Sequence, residues 1–241
     1  MAENALIRAV NVHRDYRMGK NNVVQALAGL NLEIERGTFV ALIGPSGSGK
    51  STLLNLIGGL DRPTEGEIWV DGMELGKATD KKLALFRRDR VGFIFQSFNL
   101  LATNQAWENV AVPLMLAGVS KSERKARAEL LLQQVGLGDR ADHRPAELSG
   151  GQQQRVAIAR SLSNKPVLIL ADEPTGNLDS RTGKDVLSLL QQLVRDEHVT
   201  LVMVTHDMNA ASYADRIIHM RDGLIERDEA VRATVLEEVN V

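Results

Sequence analysis

The sequence has no cysteine among its 241 residues. Disulfides and thiolate metal sites are thereby excluded, and a reducing compartment is compatible with the chain. Long apolar runs are missing as well. The longest, such as Val167–Ala171, are of strand length, whereas a membrane-spanning helix needs about 20 apolar residues. Met1 to Asn4 lack the basic-then-apolar build of a signal peptide. The chain is therefore expected to be soluble, with any membrane role supplied by a partner. A charge excess is absent too: 29 Lys and Arg face 31 Asp and Glu, for a net charge of −2. That balance argues against the basic face by which proteins grip nucleic acid. There is no internal repeat or low-complexity tract. What remains, 44% apolar and 25% charged, suits one large domain or a domain carrying an inserted subdomain.

Thr38–Ile43 is a compact apolar run that ends at Gly44. It reads as a strand covered on both faces, which loses its alternation. Ser51 to Ile57 follows with leucines at helical spacing, stopped by Gly58 and Gly59. Glu67–Asp71 and Val91–Phe95 read as short strands, as do Val167–Ala171 and Thr200–Thr205. Between the last two lies a helix with Val186, Leu189, Leu190, Leu193 and Val194 on one face. Ile217–Met220, followed by Asp222 and Gly223, suggests a final hairpin. Strands alternating with helices imply a mainly parallel sheet in an α/β fold. The stretch from Gln96 to Lys165 carries only helical texture. Ser120 and Glu123 have capping-box spacing before one helix, and a second starts at Ser149. We read residues 96–165 as an inserted α-helical subdomain, residues 1–95 and 166–229 as the core, and residues 230–241 as a short tail. The segment from Arg227 onward is expected to be a short helix of no assigned function.

Gly44–Ser51, GPSGSGKS, fits G-x-x-x-x-G-K-[ST] between a strand and a helix. Glycines at 44, 47 and 49 let the backbone approach phosphates and point successive N–H groups at them; Pro45, Ser46 and Ser48 complete the loop. The helix beyond adds its positive N-terminal end, where Thr52 sits. Lys50 brings a mobile charge to the β/γ-phosphates, and the Ser51 hydroxyl is suited to Mg²⁺. The motif points to a mononucleotide. Downstream, the apolar strand Val167–Ala171 ends in Asp172 and Glu173. Carboxylates at strand ends are commonly just solvated. After a phosphate loop, the first is placed to hold Mg²⁺ and the second to orient or deprotonate an attacking water.

Leu148-Ser149-Gly150-Gly151-Gln152 opens a helix with free N–H groups, a second place suited to an anion. With this motif the sequence resembles the nucleotide-binding subunits of ATP-binding cassette (ABC) transporters, from Tyr16 to about Gly223. The resemblance implies a phosphate-loop, RecA-like core with the helical subdomain inserted, and ATP with Mg²⁺ as ligands. It implies that Tyr16 stacks on adenine and that Gln96 joins Ser51 and Asp172 at the metal. Glu173 is then the catalytic glutamate, His206 contacts the γ-phosphate, and Asp179 lies at a dimer interface. The family works head to tail, so ATP on the loop of one subunit is closed over by Ser149–Gln152 of a second copy.

Leu170–Ser180 (LADEPTGNLDS) and Gly92–Leu101 (GFIFQSFNLL) are similar to the macrolide-export and lipoprotein-release group. That likeness implies an integral membrane permease on a separate polypeptide, with room for a periplasmic or membrane-fusion adaptor. The location implied is the cytoplasmic face of the membrane, and no nucleic acid is expected. An importer subunit, a regulator of cell-wall hydrolysis and a soluble non-transport ATPase are the other readings. A groove near Phe98 to Asn109 is the expected permease contact.

Overall fold

The computed structural model describes residues 5–17, 19 and 23–231. Met1 to Asn4, and the tail beyond Val231, lie outside the described residues. The expectations placed on them are therefore not addressed.

The centre is a six-stranded sheet in the order β10-β9-β3-β8-β7-β6. Its strands are β3 (Phe39–Ile43), β6 (Val91–Phe95), β7 (Leu168–Asp172), β8 (Thr200–Val204), β9 (Arg216–Arg221) and β10 (Leu224–Ala230). All neighbours are parallel except the β9–β10 hairpin. Arg227 to Ala230 thus belong to a strand, which corrects the helix expected from Arg227. The antiparallel partner β9 offers these residues a ladder that their own composition does not advertise.

β3 and β8 are buried at every residue because the sheet separates two cores. Phe39, Ala41, Leu201 and Met203 face one; Val40, Leu42, Val202 and Val204 face the other. The first core is filled by α3 (Ala106–Leu116), α4 (Lys121–Gln134), α5 (Gly150–Ser161) and α6 (Ser180–Glu197). Helices α3, α4 and α5 lie between β6 and β7 in the chain, and α6 crosses from β7 to β8. The second core takes α1 (Lys50–Ile57), α2 (Asp80–Arg90) and one face of a separate four-stranded antiparallel sheet. That sheet, ordered β2-β1-β4-β5, comprises β1 (Ala5–Arg17), β2 (Val23–Glu35), β4 (Glu65–Val70) and β5 (Met73–Glu74). It is an addition to the mainly parallel architecture expected.

The layering decides where a ligand can sit. β3, β6, β7 and β8 all point the same way, so the loops following Ile43, Phe95, Asp172 and Val204 emerge at one edge. Ligands of open parallel sheets bind outside these carboxyl ends.

Candidate functional site

At that edge the chain forms a cavity of about 550 Å³. Its floor is the loop after β3: Gly44, Ser46, Gly47, Gly49, Lys50, Ser51 and Thr52 line it. Gly44 has φ of 153°, and a Cβ there would lie 2.1 Å from the Met220 carbonyl oxygen. Gly49 caps α1 in a left-handed conformation, with Ala26 O 2.5 Å from where its Cβ would be. Gly47, by contrast, has open space around it. Pro45 and Ser48 are not among the lining residues; Ser48 N–H donates to Pro45 O at 3.2 Å and closes the turn beneath. Gly49 offers no side-chain cap, so the first N–H groups of α1 stay available to an anion.

Lys50 is only 8% exposed. Its ammonium donates to Gly44 O and Pro45 O, both at 2.8 Å, and to Ser48 Oγ at 3.3 Å. Burial pulls its pKa below that of an ordinary lysine, against the raising pull of Glu173 and Asp172. Burial, then the Glu173 charge, lifts Asp172 above the usual carboxylate range; the Ser51 hydroxyl and Lys50 oppose this. The Ser51 Oγ–Asp172 Oδ1 separation is 3.5 Å. A hydroxyl and a carboxylate this close, with negative charge in excess, form the hard oxygen donor set that Mg²⁺ takes.

Glu173 and His206 form the opposite wall. His206 Nδ1 is 2.9 Å from Glu173 Oε1, so Nδ1–H can donate to the carboxylate and leave Nε2 toward the cavity. Glu173 has φ of 45°, in the left-handed region. Residues with a Cβ rarely adopt it, and such strain clusters at functional sites.

Gln96 is not among the lining residues. It follows β6, whose Phe95 is in register with Asp172, so it emerges beside the Glu173 loop. There Gln96 Nε2 donates to Asn177 Oδ1 at 3.3 Å, and Asn177 Nδ2 donates to Gln96 O at 3.0 Å. Gly176 leaves room for this clasp, since a Cβ would lie 2.6 Å from Gln96 Nε2. Tyr16 lines the far end of the cavity. Its hydroxyl donates to Asp61 Oδ2 at 2.8 Å, and the Arg14 guanidinium lies 4.5 Å over the ring.

Ser149, Gly150, Gly151 and Gln152 do not line this cavity. Ser149 caps α5 in a reciprocal capping box with Gln152, at 2.9 and 3.3 Å. Asp179 caps α6 by accepting from Arg181 N and Thr182 N, both at 3.1 Å; the Thr182 hydroxyl first, then these N–H groups, hold its carboxyl below the usual range.

Three contributors escaped the sequence reading. Val24, Gln25 and Ala26 of β2 line the cavity beside Tyr16. Gly223, read only as a hairpin turn, donates its N–H to Ser48 O at 3.2 Å and accepts from Ala28 N at 3.1 Å, bracing the phosphate loop against β2. Arg160 donates to Asn99 O at 2.5 Å and to Phe98 O at 2.8 Å, pinning the segment after Gln96. Only the Asp222–Gly223 turn left a sequence signal.

Residues 27–176 match the family model described as ABC transporter. An uncharacterized ABC transporter ATP-binding protein of Methanocaldococcus jannaschii, MJ0796, is 49% identical over 94% of this chain and 98% of its own length. The macrolide export ATP-binding/permease protein MacB of a Shewanella species is 50% identical over 93% of this chain; the match spans 34% of that longer protein. A solved dimer of the MJ0796 cassette in a post-hydrolysis state, bound to ADP and Pi, superposes with a TM-score of 0.85. It covers 94% of this chain and 99% of the solved one at 47% identity.

Proposed function

This chain belongs to the ABC transporter family as an ATP-hydrolysing cassette, and from that premise we propose that two copies pair head to tail to energise a membrane permease of the export or mechanical-stroke kind. The observation that carries the reading is the cavity where Lys50 and Ser51 face Glu173 and His206 across one sheet edge. The phosphate loop and the α1 N-terminus hold the phosphates, and Lys50 turns from the loop carbonyls toward the β/γ-phosphates. Tyr16 stacks its open face on adenine, the opposite face being covered by Arg14. Ser51, Asp172 and Gln96 would hold Mg²⁺, which supplies charge stabilisation to the β/γ-phosphates. Glu173 orients and deprotonates the water. His206 keeps that carboxylate in place through Nδ1 and faces the γ-phosphate through Nε2. Catalysis is positioning plus electrostatic stabilisation, with no covalent intermediate on the protein.

Ser149–Gln152 and Asp179 serve the second copy. They sit at helix N-termini and do not line their own chain's cavity, which leaves them free to serve a partner's. The dimeric MJ0796 cassette supports that arrangement. MacB-like relatives support the export group and a place against the cytoplasmic face of a membrane. Among the described residues no helix is long and apolar enough to cross one. The permease surface we assign is the groove of about 490 Å³ between α2, β6 and α3, where Leu60, Phe93, Phe95 and Leu116 meet.

The test uses mixed dimers. Lys50→Ala in one copy and Ser149→Arg in the other should leave one intact composite site and about half the activity lost by either variant alone. Hydrolysis independent of protein concentration, and indifferent to Ser149→Arg, would refute the shared site.

A further inference from the structure

Gln154 is a polar side chain with no solvent exposure, four residues into α5, and nothing above gives it a task. Its Nε2 donates to Pro174 O at 2.5 Å, while its Oε1 is buried with no hydrogen-bond partner among the described residues. Rotating the amide would set two oxygens against each other, so this orientation is enforced. A leucine would fill similar space without stranding an oxygen. An amide half-satisfied in a core is justified only by the bond it does make.

That bond falls next to the strained residue of the site. Glu173 holds φ of 45°, and strain of this kind persists only where the surroundings over-determine the backbone. Two backbone bonds contribute: Glu173 N–H to Val204 O at 3.0 Å, and Gly176 N–H to Glu173 O at 3.1 Å. The peptide between Glu173 and Pro174 has no N–H to donate, and its carbonyl is tied by Gly176 N–H. Gln154 adds a restraint from α5 on the next peptide unit, at Pro174 O. The same helix also pins the Gln96 segment through Arg160, at Phe98 and Asn99, whose φ values are 58° and 51°.

We propose that Gln154 is a positioning residue for Glu173: by holding Pro174 O it fixes the turn that aims the Glu173 carboxylate at the attacking water. This rests on the reading of Glu173 given above. Gln154 is buried and does not line the cavity, so its loss should act on the chemical step and spare binding.

The experiment measures steady-state ATPase kinetics and equilibrium ADP binding of the full chain carrying Gln154→Leu or Gln154→Glu. A misplacement of about 1 Å costs on the order of a hundredfold in rate, so kcat should fall about tenfold to a hundredfold, with KM and ADP affinity held within about twofold. Gln154→Glu supplies a readout that packing cannot imitate. Ionised, it sets a carboxylate against Pro174 O; protonated, it donates to that oxygen again. Its kcat relative to the unaltered chain should therefore recover as pH falls, and that of Gln154→Leu should not. Should Gln154→Leu fail to fold, the pH profile of Gln154→Glu decides alone. A kcat within about twofold for Gln154→Leu, affinity falling in step with kcat, or a flat Gln154→Glu profile would overturn the proposal. Glu173→Gln is assayed beside them. If it hydrolyses ATP like the unaltered chain, the reading of Glu173 fails; if it is inactive while Gln154→Leu is normal, only the present inference fails.

Discussion

Gly44 and Gly47 stand three residues apart in one loop, yet an added methyl should harm them in different ways. At Gly44 the methyl would sit 2.1 Å from Met220 O and 2.8 Å from Ser48 Oγ. Met220 lies in β9, whose neighbour His219 is in parallel register with Ile43, so that carbonyl belongs to the sheet and cannot withdraw. Overpacking against an immobile partner lies at the upper end of the usual range, about 3 kcal/mol. For a chain of this size that lowers Tm by about 6–12 °C. At Gly47, φ is 81° and no atom lies within 4 Å, so only the left-handed conformation is penalised. That costs about 1–2 kcal/mol, or about 2–8 °C. Its methyl would project into the cavity, and its larger effect should be on nucleotide affinity. Thermal melting without nucleotide, followed by ADP titration, separates the two. Gly44→Ala melting within about 2 °C of the unaltered chain, less than 1 kcal/mol, would refute the steric reasoning. So would Gly47→Ala melting lower than Gly44→Ala.

Asp172→Asn bears on the charge excess. Burial and Glu173 raise the Asp172 pKa above its unfolded value, so the native state holds the proton more tightly. Stability from this group is then lost as pH rises from the ordinary carboxylate pKa through the raised one. The nucleotide-free variant should melt above the unaltered chain at neutral pH, with the gap closing in acid, and should lose Mg²⁺-dependent nucleotide binding; a lower Tm at neutral pH would contradict this. Gly150→Ala should fold normally, since its Cβ would meet Leu178 Cδ2 at 3.5 Å and Phe98 Cζ at 3.8 Å, ordinary contacts. ATP-driven dimerisation, followed by size-exclusion chromatography, should nevertheless weaken.

The parts legible in the sequence were those whose reasons are local. β3, β7 and β8 announced themselves because strands buried on both faces are apolar throughout, and the phosphate loop because its eight residues are consecutive. The antiparallel sheet did so only at β4, read as Glu67–Asp71. The pairing of β1 with β2 is interrupted by register shifts, as between Ala9 and Val12, and each shift breaks the period-2 pattern that marks a strand. Helix α2 buries only Leu83 and Phe86, and α3 carries Pro113 inside it, so neither shows a clean helical stripe. Within the site, Asp172 and Glu173 were readable as carboxylates ending an apolar strand, and His206 only through the family resemblance. Gln154, Arg160 and Gly223 act on backbone groups distant in the chain, and such pairings leave no local signature.

The glycines divide along the same line, and the division bears on what lies outside the chain. Gly44 is required by Met220 O, Gly49 by Ala26 O and Gly176 by the Gln96 amide. Gly151, read from sequence as part of an anion-holding segment, has an internal reason as well: its Cβ would lie 2.3 Å from Thr182 Cγ2, at the start of α6. Gly151 thus seats α5 closely on α6. Gly47 and Gly150 have no such reason, because the protein leaves space at both. Gly47 faces the chain's own cavity, where a nucleotide accounts for the open approach. Gly150 does not line the cavity that holds the phosphate loop, and its own chain gives an added Cβ only ordinary contacts. In the proposed head-to-tail pair, the second copy brings its loop-bound ATP to the start of α5.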